Sequence, residues 1–276
     1  MNAVTFGDVT VELKASDIKI LESKEWLNES LIEFFMCKRA RSSASKTGCE
    51  VAVLRAHWIS VLRKRRWIAH VAGVPDHVND AFQTNYLGAQ HLHRDLFRNQ
   101  LIFVPMNVHE NHWILIVVYL AKNTVADADD PLWGRMFFFD SLPGTDSQEA
   151  YNECGRAIRG FLNCEWYFHS QVDKGKAGRV YDERTFPMHV MRMTRQRNRH
   201  DCGCYVIRAC ESFLAEIQHM IGRLDEGSVQ WMNDLFKRKL NLGRNFRGKL
   251  REEVGIVNEN DDGDDDESDG SDLVML

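Results

Sequence analysis

Apolar residues fall along this chain in a few distinct patterns, and each pattern predicts a different kind of element. Alternating, β-branched stretches over Val4–Phe6 and Val9–Leu13 predict two short strands or extended arms near the start. The runs Leu101–Pro105, Trp113–Leu120 and Arg135–Ser141 read as buried strands, the first stopped by its proline. Polar stretches separate them: Met106–Asn111, and the longer turn 121–134. Consecutive strands joined in this way are expected to pair antiparallel.

Helical spacing takes over elsewhere. Leu31, Phe34 and Phe35 share one face of a helix that starts after Trp26, with Asn28 and Ser30 as candidate caps, and Ser16 or Asp17 is expected to cap a short turn before it. Residues 41–50 read as a polar loop, Val51–Arg66 as a stretch of mixed helical periodicity carrying Trp58 with Trp67 just beyond, and Pro75–Arg98 as short helices and loop. A helix is expected over 147–162 with Ile158, Phe161 and Leu162 inward, then a strand over Cys164–Val172 and a surface loop over Asp173–Thr185. Phe186–Met193 is a last short segment leading to Gln196 and Cys202. Val206, Ala209, Cys210, Phe213 and Leu214 give the next helix its buried face, and Val229–Leu240, continuing toward Leu250, forms a basic amphipathic helix anchored by Trp231 and Leu235. No internal repeat is present.

Composition narrows the class. A chain of 276 residues, 44% of them hydrophobic, suits one globular domain, taken here as 1–258. Seven cysteines, odd in number and without Cys-x-x-Cys pairs, argue against a disulfide framework and for a reducing, intracellular setting in nucleus or cytoplasm. Met1–Thr10 has no basic start followed by an apolar run, and Trp113–Leu120 is far shorter than the ~20 residues of a membrane span, so no membrane role is expected. The net charge of −5 hides an asymmetry: 259–276 holds nine acidic residues and no Lys or Arg, leaving 35 basic against 31 acidic residues, or +4, in the body. The acidic run reads as a disordered tail, and +4 suits an acidic protein partner better than nucleic acid. Arg63-Lys64-Arg65-Arg66 fits either an import patch or the exposed face of a helix.

The chemistry centres on Cys202. It stands at the start of the Val206–Leu214 helix, where unpaired N–H groups and the positive end of the dipole favour a thiolate. Gly203 behind it is expected to clear space for a substrate backbone and to offer its N–H there. The polar, cation-rich approach from Arg195 to Asp201 is a poor core strand and a good site loop. Antiparallel pairing of Trp113–Leu120 with Arg135–Ser141 sets His112 beside Asp140, and a carboxylate so placed fixes the tautomer of an imidazole that serves as general base.

These residues carry a resemblance. Trp26-Leu27-Asn28, Val104-Pro105 with His112-Trp113, Phe139-Asp140-Ser141, and Gln196-Arg-Asn-Arg-His-Asp-Cys202-Gly203 resemble, in order, the motifs of the sentrin/SUMO-specific cysteine proteases of ubiquitin-like modifiers, relatives of the adenovirus protease. The likeness runs over residues 4–245. It implies an α+β, papain-like/adenain-like fold: a central mixed sheet flanked by helices, with the nucleophile at a helix N-terminus. It also implies that Cys202 is the nucleophile, His112 the base and later acid, Asp140 the orienting carboxylate and Gln196 an oxyanion donor. A modifier's Gly-Gly tail would lie under Trp113 with Trp26 as the opposing wall, and Asn28, Glu29 and Gly203 would help bind it. Flat indoles around a tunnel admit glycine and reject side chains. Glu29 departs from the family's usual Asp, and the connection from His112 to Asp140 is longer than in many members.

The implied partners are a ubiquitin-like modifier, SUMO first, and its protein conjugates, met by a monomer without cofactor or metal. Two readings stay open: a deneddylase or deubiquitinase with the same triad, and an effector-type acyltransferase; a catalytically silent modifier-binding adaptor would need one triad member missing, and none is. A zinc site from His109, His112, Cys202, Cys204 and Cys210 is disfavoured, because Cys-x-Cys is not a usual structural-zinc spacing.

Overall fold

A computed structural model describes residues 2–63, 96–108, 111–121, 132–144, 147–172, 179–224, 229–240, 242 and 245–255. The basic run from Lys64 to Arg66, Trp67, positions 75–95, 122–131 and 173–178, and the acidic stretch 259–276 lie outside the described residues.

Five strands form the central sheet in the order β3 (Val51–Val53), β4 (Leu101–Val108), β5 (His112–Leu120), β6 (Gly134–Phe139), β7 (Met188–Met191). The three middle strands pair antiparallel and both edge strands pair parallel, so the sheet is mixed. The strands β1 (Ala3–Phe6) and β2 (Val9–Glu12) form a separate antiparallel ribbon.

Successive side chains on the sheet enter two different cores. Leu101, Phe103, Leu115, Val117, Tyr119, Phe137 and Phe139 pack with α2 (Glu29–Thr47) and α5 (Cys202–Ala215) on one face. Ile102, Val104, Ile114, Ile116, Val118, Met136 and Phe138 pack with α3 (Ala56–Arg63) and α4 (Ser147–Val172) on the other. With both faces covered, the middle strands have no polar side to show, which is why they read as unbroken apolar runs. The remaining helices α1 (Ala15–Glu22), α6 (Ile217–Leu224), α7 (Gln230–Lys239) and α8 (Phe246–Glu253) complete the first core.

Several elements differ from the sequence expectation. The polar run from 41 to 47 is the end of α2 rather than a loop, and its docking is polar. Arg39 earlier in the helix holds Glu253 through two hydrogen bonds of 2.7 and 2.5 Å, Ser43 Oγ donates to the Leu214 carbonyl at 3.3 Å, and Gly48 ends the helix at φ 67°. Val51–Val53 is a strand, three residues being too few to show a period of two.

The expected strand at Cys164–Val172 is the last part of α4. Ile158, Phe161, Leu162 and Trp166 form one helical stripe in the second core, and this packing overrides the aromatic, strand-like composition. Asp17 does not cap from the first position: α1 starts at Ala15, and Asp17 reaches back to accept the Lys14 N–H at 2.8 Å. The expected helix toward Leu250 is two, α7 and α8, and among the described side chains of α7 the buried ones are Met232 and Phe236, one position on from the expected Trp231 and Leu235. Trp231 is only partly buried, with the Arg223 guanidinium 4.1 Å from its ring.

Phe213 on α5 joins this helix to the sheet, fully buried with ring centroids 5.6 Å from Phe103 and 5.7 Å from Phe236. Phe213→Ala is expected to cost ~3–5 kcal/mol of unfolding free energy in a urea titration. Val190→Thr, at a position 43% exposed on an edge strand, should stay within about 0.5 kcal/mol.

Candidate active site

The pairing of β5 with β6 sets the site. Leu115 stands opposite Phe139, so His112 at the start of β5 comes alongside Asp140, which follows the end of β6. His112 Nε2 lies 2.6 Å from Asp140 Oδ1. The ionised carboxylate accepts the Nε2 proton, which leaves Nδ1 as the ring nitrogen free to serve Cys202, whose side chain also bears on the charge of the ring. His112 and Asp140 thus stand in contact, and Cys202 is close enough to the ring to perturb its charge.

Asp140 is buried and accepts two further hydrogen bonds, from the Tyr151 hydroxyl and from the Leu142 N–H at 2.7 Å. Burial works against its charge, but the bonds to His112, Tyr151 and Leu142 prevail and hold its pKa below the usual carboxylate value. Burial also opposes charge on His112, and there too the partners prevail. Hydrogen bonds and attraction from Asp140 and Cys202 raise it to about 9. The arrangement favours an imidazolium held beside the Asp140 carboxylate.

Cys202 is the first residue of α5, and the helix ladder begins with the Tyr205 N–H donating to the Asp201 carbonyl at 3.1 Å. The loop before it is built by its own side chains. Asn198 Oδ1 accepts the N–H groups of His200 and Asp201 at 3.1 and 3.0 Å, while Asn198 Nδ2 donates to Asp201 Oδ2 at 2.7 Å. Gln196 is buried and oriented at both ends: Ser141 Oγ donates to its Oε1 at 2.6 Å, and its Nε2 donates to the Asn198 carbonyl at 2.8 Å. Its own N–H donates to the Ser141 carbonyl at 2.9 Å, so the residue next to Asp140 also anchors the loop leading to Cys202.

The two expected indole walls are tied to this frame. The Trp113 N–H donates to the Leu27 carbonyl at 2.9 Å, and the Trp26 N–H donates to the Arg199 carbonyl while 47% of Trp26 stays exposed. Trp113 and Glu29 line a cavity of about 310 Å³ together with Ala56, His57, Ser60 and Asn107. Glu29 Oε1 is 3.6 Å from His57 Nδ1, and Asn107 Oδ1 is buried without a hydrogen-bond partner.

Two of the expected substrate-binding residues do other work. Asn28 caps α2, accepting the Leu31 N–H at 3.0 Å, and donates to Asp17 at 2.7 Å, so its side chain is engaged within the fold. The missing side chain of Gly203 clears no substrate path. A Cβ there would lie 2.9 Å from Leu27 Cβ and 3.1 Å from Ile32 Cδ1, so the glycine lets α5 close on the start of α2. Cys202 itself is only 1% exposed, and a substrate reaches its sulfur as a slender chain or by displacing neighbours. Sequence reading missed Tyr151, Asn107 and His57. Tyr151 could have been found, since a tyrosine inside a helix's apolar stripe needs a buried partner for its hydroxyl. Among the described residues no group of three or more His, Cys, Asp or Glu side chains could hold a metal ion, and no helix is long and apolar enough to cross a membrane.

Residues 25–237 match the Ulp1 protease family, C-terminal catalytic domain. The chain is 24% identical over 226 residues to ubiquitin-like-specific protease 1D of Arabidopsis thaliana, covering 79% of this chain and 36% of that protein. It is 24% identical over 249 residues to ubiquitin-like protease 2 of Caenorhabditis elegans, covering 82% of this chain and 27% of that one. The chain thus spans about a third of these relatives. A crystal structure of a de-sumoylating protease superposes with a TM-score of 0.64 at 21% identity, covering 91% of this chain and 89% of the other, and shares the fold.

The raised His112 and lowered Asp140 set a pH signature. The unfolded imidazole titrates near its ordinary value of 6.5, so the His112 contribution to stability is complete below that value and lost as pH rises through about 9. The Asp140 contribution is present above the ordinary 3.8 and lost as pH falls through its lowered pKa. Asp140→Asn should therefore destabilise the protein most between these limits. Denaturation midpoints measured across pH should show the gap to the parent protein closing above pH 9. Gly203→Ala should cost ~1–3 kcal/mol in the same titration, because the crowded Leu27 Cβ cannot swing aside.

Proposed function

From the premise that this chain belongs to the Ulp1 protease family, we propose that it is a thiol protease cutting after the C-terminal Gly-Gly of a ubiquitin-like modifier, SUMO first, in precursors or in lysine isopeptides. The observation that carries this reading is the pairing of His112 with Asp140 at 2.6 Å together with Cys202 at the first position of α5, close enough to bear on the charge of the ring. Its partners are the modifier and its conjugates.

The reaction follows from the groups in place. His112 takes the proton of Cys202, and the sulfur attacks the carbonyl carbon of the terminal glycine. The oxygen of the tetrahedral intermediate carries the negative charge. Gln196 Nε2 uses one hydrogen on the Asn198 carbonyl, and its second is assigned to this oxygen together with the N–H groups at the start of α5. As the carbon–nitrogen bond breaks, His112 returns its proton to the leaving amine and a thioester remains. Water gives a proton to the same imidazole and attacks the thioester; the imidazolium returns that proton to the departing sulfur, restoring the thiol, and the released carboxyl group loses its own proton to solvent.

Selectivity for glycine follows from depth. With Cys202 1% exposed and Trp113 buried, an extended tail without side chains is the form that fits. Asn107 Oδ1, a buried acceptor lacking a donor, is assigned to a backbone N–H of that tail, and the cavity beside it to residues just ahead of the glycines.

Fusions of SUMO, Nedd and ubiquitin to a reporter test this. The parent protein is expected to cut at least the SUMO fusion, Cys202→Ser to cut none, and Gln196→Ala to lose ~10²–10³ in kcat with little change in KM. Undiminished cleavage by Cys202→Ser refutes the reading.

A further inference from the structure

The helix α8 lies beyond residues 25–237, the part matched to the family, yet one of its side chains reaches the approach to Cys202. Asn245 starts the helix from a left-handed conformation at φ 60° and caps it by accepting the Gly248 N–H at 3.1 Å. Phe246, Leu250 and Val254 anchor it in the first core. Between these anchors the Arg247 side chain, 16% exposed, enters a cleft bordered by two separate segments.

Its Nη1 donates to the carbonyls of Ile20 and Ser23 at 3.0 and 2.9 Å, where α1 ends. Its Nη2 donates to the Glu25 carbonyl at 2.9 Å and to Asp201 Oδ1 at 3.1 Å, with the His200 carbonyl at 3.4 Å. Glu25 immediately precedes Trp26, and Asp201 immediately precedes Cys202. One guanidinium therefore spans from the segment carrying the exposed indole to the residue that starts the nucleophile's helix. The Trp26 bond to Arg199 joins the same two segments from the surface side.

We propose that Arg247 is a positioning residue for the reaction: by bridging Glu25 and Asp201 it fixes the spacing between the Trp26 wall and the start of the Cys202 helix. A planar fork with five donors suits carbonyls and a carboxylate arrayed on two sides, and a lysine ammonium cannot reach both sides at once. Arg247 also reaches the Cys204 thiol on α5, and its bonds to the two segments are what it acts through. The proposal rests on the protease reading for its substrate but not for its geometry.

The test compares the full chain with Arg247→Ala and Arg247→Lys in cleavage of whichever modifier fusion the parent protein cuts. Alkylation of Cys202 by iodoacetamide is followed across pH in parallel. Misplacement of the wall by about an ångström predicts a loss of ~10²-fold in kcat/KM for Arg247→Ala, with KM raised, and a smaller loss for Arg247→Lys. A displaced alkylation profile and partial recovery of Arg247→Ala by low, non-denaturing guanidinium are expected, since the small cation refills the cleft. Cleavage and alkylation within twofold of the parent in both folded variants would overturn the proposal. So would a loss that tracks the unfolded fraction in melting experiments and that guanidinium leaves unchanged. If the parent cuts no modifier fusion, the protease reading falls, while the alkylation profiles still decide the role of Arg247.

Discussion

The hydrogen bond between His112 and Asp140 is the constraint around which the molecule is arranged, because one partner opens β5 and the other directly follows β6, so neither can shift alone. The β5–β6 register brings the two ends within reach of this 2.6 Å bond, and a slip of one residue would send every side chain of one strand into the opposite core. That slip is forbidden energetically, since the two cores divide the sheet residues strictly by parity. The packing that stabilises the sheet is thus also what aims the imidazole.

The same economy runs through the rest of the site. Asp140 stays charged in a buried place because His112, Tyr151 and the Leu142 N–H all donate to it, so a residue from α4, on the far side of the sheet, holds the charge that orients the ring. Ser141, next in sequence, holds Gln196 by backbone and side chain together. Leu27 accepts the Trp113 indole N–H and presses on Gly203, connecting the beginning of α2 to the beginning of α5. Each of these links is local, and together they leave little freedom between sulfur, imidazole and carboxylate.

Much of this was legible in the chain. Long apolar runs betrayed the middle strands, although β4 runs through Pro105 to Val108 instead of stopping at the proline and leaves a tighter turn than expected, and antiparallel pairing of neighbours was enough to place His112 against Asp140. The order of Trp26, His112, Asp140, Gln196 and Cys202 carried the family resemblance that residues 25–237 bear out. What stayed hidden depends on partners remote in sequence. The polar end of α2 stays helical beside anchors far along the chain, Arg39 just before it bonding Glu253 and Ser43 within it bonding the Leu214 carbonyl, and no periodicity records such bonds. The second half of α4 has a strand-like composition that its packing against the second core overrules. Gly203 looked like space left for substrate, yet it faces Leu27 and Ile32, and one sequence does not tell which side of a glycine is crowded. The bridging role of Arg247 was invisible for the same reason: a basic amphipathic helix gives no sign of which cation turns inward.

Burial of the nucleophile gives the site its character. All seven cysteines are free thiols, and Cys37, Cys154, Cys164, Cys204 and Cys210 are as buried as Cys202. Burial pushes Cys37 and Cys204 up to about 12 and raises Cys164 and Cys210 as well, which keeps them as inert thiols. Among these cysteines the partnership with His112 belongs to Cys202. The most direct measurement is therefore where an electrophile mounted on a modifier's C-terminus attaches. SUMO, Nedd and ubiquitin probes are applied in parallel, followed by peptide mass mapping. The account predicts a single adduct, on Cys202, with at least one of the three. Adducts on another cysteine, or none with any probe on folded protein, would contradict it.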